Sequence, residues 1–177
     1  VRACIAFTPQ QPRVADRPEV TWRGRGRLLT AMTAAPREIH RATFIRASAQ
    51  QVYDLIATAD GLDRWFTVGA TLDPSPGGQI VYRWKDWGPE RVNTESRGTV
   101  HEARSPHRFV FDWDAGDRQQ VTAEFDIEPT EDGVVLRLHE HGYDDTAAGI
   151  EARVRQAAGW GEAMTLIKFM AEHGIHY

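Results

Sequence analysis

Residues 144–174 read DDTAAGIEARVRQAAGWGEAMTLIKFMAEHG. The spacing predicts one long amphipathic helix centred on Gly159, Trp160 and Gly161, with Met164, Ile167, Phe169, Met170 and Ala171 recurring near the helical period. Glu151, Arg153, Arg155, Glu162, Lys168 and Glu172 supply most of the polar positions. Asp144, Asp145 and Thr146 suit the positive N-terminal end and can cap it, and His173-Gly174 reads as a stop. Such a helix cannot bury its apolar stripe alone and needs a sheet to lie on. The two glycines each cost about 1 kcal/mol relative to Ala in a helix interior. They either permit a kink or close packing, or leave space so that the helix roofs a cavity lined by Trp160 and Met164.

Working back from the helix, the chain supplies that sheet. Val134–His141 alternates with Leu136 and Leu138 on one face. Before it, Gln119–Glu128 carries Val121, Ala123, Phe125 and Ile127 on one face, and Arg108–Asp114 carries Phe109, Phe111 and Trp113. Further strands are expected over Thr94–Ala103, Gln79–Lys85 (Ile80, Tyr82 and Trp84 alternating with Val81, Arg83 and Lys85) and Val68–Leu72. Turns are marked by Pro74–Gly78, Ser105-Pro106-His107, Ala115-Gly116-Asp117 and Glu131-Asp132-Gly133. At the start of the fold, Glu38–Ile45 reads as a strand and Ser48-Ala49-Gln50-Gln51 as a capping box. The helix that the box opens buries Val52, Leu55 and Ile56; Asp60-Gly61 is read as its end, with one more turn over Leu62–Trp65.

Residues 1–36 show no sustained apolar period and are read as a disordered tail or an upstream extension before Met32. They hold six Arg against two acids, a net +4, which leaves −8 on residues 37–177 of a chain whose net charge is −4. An acidic folded part argues against nucleic acid as a partner. No apolar run reaches the roughly 18 residues of a membrane span. Cys4 is the single cysteine, so the chain forms no internal disulfide, as suits a cytoplasmic protein.

The order is strand, two short helices, six strands and a long helix, which means α+β. Over about residues 37–174 it resembles the SRPBCC (START-like, helix-grip) superfamily, and within it the homologues of the activator of heat-shock-protein-90 ATPase. The resemblance rests on Ile45-Arg46-Ala47-Ser48 leading to Val52-Tyr53-Asp54-Leu55, on Leu62-Asp63-Arg64-Trp65-Phe66, and on Gly98-Thr99-Val100. It rests also on Pro106 to Trp113, on Leu136 to Gly142, and on Gly159-Trp160. It implies one domain over 37–177, a curved antiparallel sheet wrapped around the C-terminal helix. It further implies a hydrophobic cavity between sheet and helix for a small apolar or aromatic ligand. Eukaryotic activators carry this domain behind a separate chaperone-binding domain, for which this chain has no room, so a chaperone partner is not the first expectation. A homodimer is compatible with the sheet's free edge.

The expected ligand-binding residues are Trp65, Tyr82, Trp84, Phe109, Phe111, Trp113, Phe125, Leu138, Glu140, Trp160 and Met164. Tyr143 and Arg83 are further polar handles should they reach the cavity. In His139-Glu140-His141, alternation from Leu136 and Leu138 puts Glu140 inside and both histidines outside. An inward carboxyl has its pKa raised by desolvation. Three fates follow for it: general acid or base, structural pair or ligand anchor, or escape to solvent through a bulge. His139 and His141 share a face, a spacing usable for a metal, with His101 or Asp112 as a possible third ligand; the reading preferred is a polar outer face without a metal. There is no phosphate-cradling loop, nucleophile elbow, zinc motif or triad spacing. The expectation is a small-ligand-binding protein without a cofactor and without strong catalytic equipment. The alternatives are a cyclase-, dehydratase- or hydrolase-like enzyme using Glu140, and an interaction module of the chaperone-activator kind.

Overall fold

The computed structural model describes residues 37–88, 90–116 and 119–176. The expected tail over 1–36 lies outside the described residues. The elements run β1 (Ile39–Ile45), α1 (Ala49–Ala57), α2 (Ala59–Asp63), β2 (Thr71–Leu72), β3 (Gln79–Trp87), β4 (Val92–Arg104), β5 (Arg108–Asp114), β6 (Gln120–Thr130), β7 (Gly133–His141) and α3 (Ala147–His173). The seven strands form one antiparallel sheet in the order β1-β7-β6-β5-β4-β3-β2. The sheet is curved and unclosed, with α3 against it: the helix-grip architecture. β5 has the bounds expected from the alternation, and β7 differs by one residue.

Local chemistry sets the elements. Ser48 and Gln51 make the reciprocal capping box of α1, whose apolar stripe Val52, Leu55 and Ile56 is buried. The break between α1 and α2 falls at Thr58, not at Asp60-Gly61. Thr58 takes extended backbone angles and its hydroxyl accepts from Gly61 N, so it caps α2 as α1 ends. Gly61 therefore sits inside α2, where an added Cβ would meet Asp54 O at 1.8 Å. The expected strand over Val68–Leu72 shrinks to Thr71–Leu72. Gly69 has φ of 76° and the Asp63 carboxylate holds the amides of Gly69 and Ala70, which bends the chain away from the ladder.

α3 runs without interruption from its Thr146 cap to Gly174, which closes it in the left-handed conformation. Its buried stripe is Ala152, Trp160, Ala163, Met164, Ile167 and Met170; Phe169 instead lies outward, against His173. The helix is pinned to the first strand by polar contacts as well as apolar ones. Arg41 donates to Ala157 O at 3.0 Å, Lys168 to Phe44 O at 2.5 Å, and Arg46 N to Glu172 at 2.7 Å. Around Gly159 and Gly161 there is open space. Neither close packing nor an interruption of the helix explains them.

Curvature has its own marker. The β4–β5 register shifts between Val100 and Glu102, and Gly98 faces Trp113 across the same pair. A Cβ on Gly98 would lie 1.8 Å from Asp112 O. Gly98→Ala is expected to lower stability by about 1–3 kcal/mol through overpacking. Gly161→Ala, with nothing near its Cβ, is expected to raise stability by about 0.5–1 kcal/mol. Urea denaturation of the two variants measures both signs; equal effects would refute this account of the two glycines.

Candidate ligand cavity

Where α3 passes β3 and β4 it does not close on the sheet, and a cavity of about 500 Å³ remains. One wall is helical: Gln156, Gly159, Trp160 and Ala163. The other comes from Trp84 and Trp87 at the end of β3, Val92, Thr94, Glu95 and Ser96 on β4, and Trp113 to Gly116 leaving β5. Phe66 forms the floor beside Trp84, at 5.3 Å between ring centroids and nearly perpendicular. The volume is that of a small-molecule site; five aromatic residues line it, and Thr94, Glu95, Ser96, Asp114, Arg155, Gln156 and Glu162 add polar and charged groups. Ser96 and Gln156 spend their side chains on Asp114 O and Ala115 O, so they shape the rim. Among the described residues, the buried side-chain nitrogens without a hydrogen-bond partner are Trp84 Nε1, Trp160 Nε1 and His139 Nε2. The first two belong to residues of the cavity wall, but the nitrogens themselves are shut off from the open space.

Behind Trp113 lies Glu140, fully buried. Trp113 Nε1 donates to its Oε2 at 2.9 Å, and the Tyr143 hydroxyl donates to its Oε1. Trp160's N–H adds a pull on the same carboxyl without making a hydrogen bond of normal geometry. Burial pushes the Glu140 carboxyl up from its ordinary value, against the pull of the Tyr143 and Trp113 hydrogen bonds. Burial, followed by the neighbouring carboxyl, pushes the Tyr143 phenol up as well. Both oxygens of Glu140 are engaged and the residue is not part of the cavity wall. Of the three fates open in the sequence, the geometry is that of a structural pair.

The other expected site residues divide into three groups. Trp84, Trp113 and Trp160 line the cavity. Trp65, Tyr82 and Phe125 surround, with Trp160, a gap of only about 10 Å³ deeper in the core. Phe109, Phe111, Leu138 and Met164 are buried in the core itself and line neither space. Arg83 turns to Gly69 O and Glu95. Trp87, Val92 and Gly116 are the wall residues that periodicity could not select, because they sit at strand ends and in turns. His139 and His141 face outward as alternation requires, and His101 pairs with Asp112 at 3.2 Å.

The sequence model described as "Activator of Hsp90 ATPase homolog 1-like protein" matches residues 46–172. Among solved structures, the Aha1 dimer from Colwellia psychrerythraea superposes with a TM-score of 0.65 at 17% identity, over 77% of this chain and 97% of that one. DynU16, a putative protein in the dynemicin biosynthetic locus, gives a TM-score of 0.67 at 12% identity over 79% of this chain; this chain spans about half of it (49%). CalU16 from Micromonospora echinospora gives 0.61 at 16% identity over 77% of each chain. At such identities the likeness is one of fold. Among curated proteins none matches the sequence. Among the described residues no helix is long and apolar enough to cross a membrane.

The raised carboxyl fixes the sign of a pH effect. The folded chain holds the Glu140 proton to higher pH than the unfolded chain does. Its contribution to stability is therefore full below the ordinary carboxylate value of about 4.3 and declines as pH rises from there through the raised value. Glu140→Gln keeps the shape and removes the titration. The stability of the wild type minus that of the variant, from denaturation at a series of pH values, is expected to fall with rising pH over that window. A difference that stays flat or rises would contradict the burial argument.

Proposed function

The chain belongs to the family of Activator of Hsp90 ATPase homolog 1-like proteins, and from that premise we propose that it binds a small apolar or aromatic molecule between α3 and the β3–β4 end of the sheet. The observation that carries the reading is the aromatic group Phe66, Trp84, Trp87, Trp113 and Trp160 in the walls of a cavity of about 500 Å³. Aromatic faces would hold the skeleton of such a ligand by stacking and area burial. Gly159 fits the same reading: it keeps the helical wall bare at the place where a side chain would enter the cavity.

Binding rather than turnover is the preferred reading, because the fully buried Glu140 is held by Trp113 and Tyr143 and lies outside the cavity wall. DynU16, by its description, belongs to a biosynthetic locus, which keeps a carrier or cyclase-like role on an aromatic intermediate as the second reading. A cytoplasmic location and a homodimer, as in the Colwellia Aha1 structure, complete the proposal.

Native mass spectrometry before and after organic extraction, followed by titration of an aromatic panel against Trp fluorescence, tests it. Gly159→Leu is expected to abolish binding while the thermal midpoint does not fall. Trp84→Ala is expected to weaken aromatic ligands about two- to tenfold, the worth of one aromatic contact. A wild-type chain that takes up none of these ligands, or binding indifferent to Gly159→Leu, would overturn the reading. A chaperone complex that survives Gly159→Leu would then move the function to the outer surface.

A further inference from the structure

The outer face of the sheet carries a cluster that the cavity does not use. Strand pairing sets His40 on β1 directly opposite His139 on β7, and Glu124 on β6 directly opposite His139 on the other side. Glu38 and His141 extend the cluster two residues along their own segments. The His40 and His139 rings are parallel, at 4.5 Å between centroids and 5° between planes. Glu38 Oε2 lies 3.1 Å from His40 Nε2 and 3.2 Å from His139 Nε2. His139 Nε2 is buried, and its approach to Glu38 lacks the alignment of a hydrogen bond.

These are the donors and spacings of a metal site. An ion with tetrahedral bonds of about 2.0–2.1 Å holds its ligand atoms about 3.3–3.4 Å apart. One carboxylate oxygen already stands close to that separation from two imidazole nitrogens, and the three donor atoms all lie within 4.8 Å of one another. Both rings must turn out of their parallel stack for their nitrogens to point at one ion. Imidazole with carboxylate selects a borderline divalent ion of the zinc class over calcium or magnesium. The other ring nitrogen of His139, Nδ1, has Glu124 Oε1 at 3.9 Å on its far side. That is where an orienting carboxylate stands behind a metal-bound imidazole.

A second trio, Glu124, His139 and His141, also lies within reach. It is the poorer choice. Glu124 is engaged by Arg108 at 2.5 Å and by His141 at 2.9 Å, so a dication there would sit against a guanidinium. Among the described residues, the polar partners of Glu38 are the two imidazoles. The other cations near the site are already paired: Arg108 with Glu102, Glu124 and Asp126, and Arg137 with Glu128.

We infer that Glu38, His40 and His139 bind one divalent ion of the zinc class, with water completing the shell, and that the ion staples edge strand β1 to β7. Zinc titrated into the full chain, followed by calorimetry and native mass spectrometry, is expected to give one bound ion and a higher thermal midpoint. His139→Ala and Glu38→Gln are each expected to weaken binding about tenfold or more and to remove the rise in midpoint. His141→Ala is expected to change neither. Glu38 lies exposed before the first strand, so its variant retains the fold and separates loss of a ligand from loss of structure; far-ultraviolet circular dichroism checks this. The inference is overturned if the wild type takes up no more zinc than the His40→Ala/His139→Ala double variant. It is overturned equally if His141→Ala releases the ion as His139→Ala does, which would put the ion on the Glu124 trio. Neither result bears on the cavity, which lies on the opposite face.

Discussion

A carboxyl group cut off from water must be satisfied by its neighbours, and at Glu140 those neighbours decide where the long helix goes. Trp113 reaches it from β5, and Tyr143 reaches back to it from the link between β7 and α3. Between them Gly142 takes a φ of 106°, and a side chain there would press on Gln120 O at 3.1 Å. The chain leaving the sheet is thus held to one path. Trp160, further along the helix, then lands 5.6 Å from both Trp113 and Phe125. Replacing such a group by a well-packed apolar one need not cost stability. What the pair of hydrogen bonds supplies is a direction for α3.

Once its direction is fixed, the helix is asymmetric in what it covers. Toward β1 it is tight, with Arg41, Arg46 and Lys168 tying strand to helix. Toward β3 and β4 it stands off, and Phe66, Trp84 and Trp113 line the gap, meeting at edge-on and tilted angles. Rings meeting in this way leave irregular space. The bare helix surface at Gly159 and Gly161 preserves it. Two residues that weaken the helix are therefore tolerated because packing elsewhere along α3 holds it in place.

Much of this was legible in the chain because period-two alternation over apolar and aromatic residues is a strong local signal. Phe109, Phe111 and Trp113 define β5, and Leu136 and Leu138 put Glu140 indoors. The capping box at Ser48 was equally local. What depended on distant partners was not legible. Thr58 rather than Gly61 ends α1 because one hydroxyl serves two helices. Val68 reads as strand, yet the Asp63 carboxylate captures the amides that follow it. Phe169 matched the apolar spacing of α3 but falls outside the arc that meets the sheet. The outer-face cluster was half visible: the spacing of His139 and His141 is written in the chain, whereas their proximity to His40 and Glu38 comes from strand register alone. The cavity walls from Trp87 and Gly116 belong to strand ends, where no periodicity speaks.

The pairing of β1 with β7 joins Ile39 to Glu140, and α3 lies beyond both. The first strand of the sheet waits for the last before it gains a partner, and the concave aromatic face has no roof until the final helix has been made. Long-range closure of this kind slows folding, and apolar surface left open in the interval invites association. During synthesis, the nascent chain must carry Phe109, Phe111, Trp113 and Phe125 uncovered until its C-terminal residues are free. The architecture that leaves a cavity beneath α3 thereby keeps apolar surface open during synthesis until the helix docks.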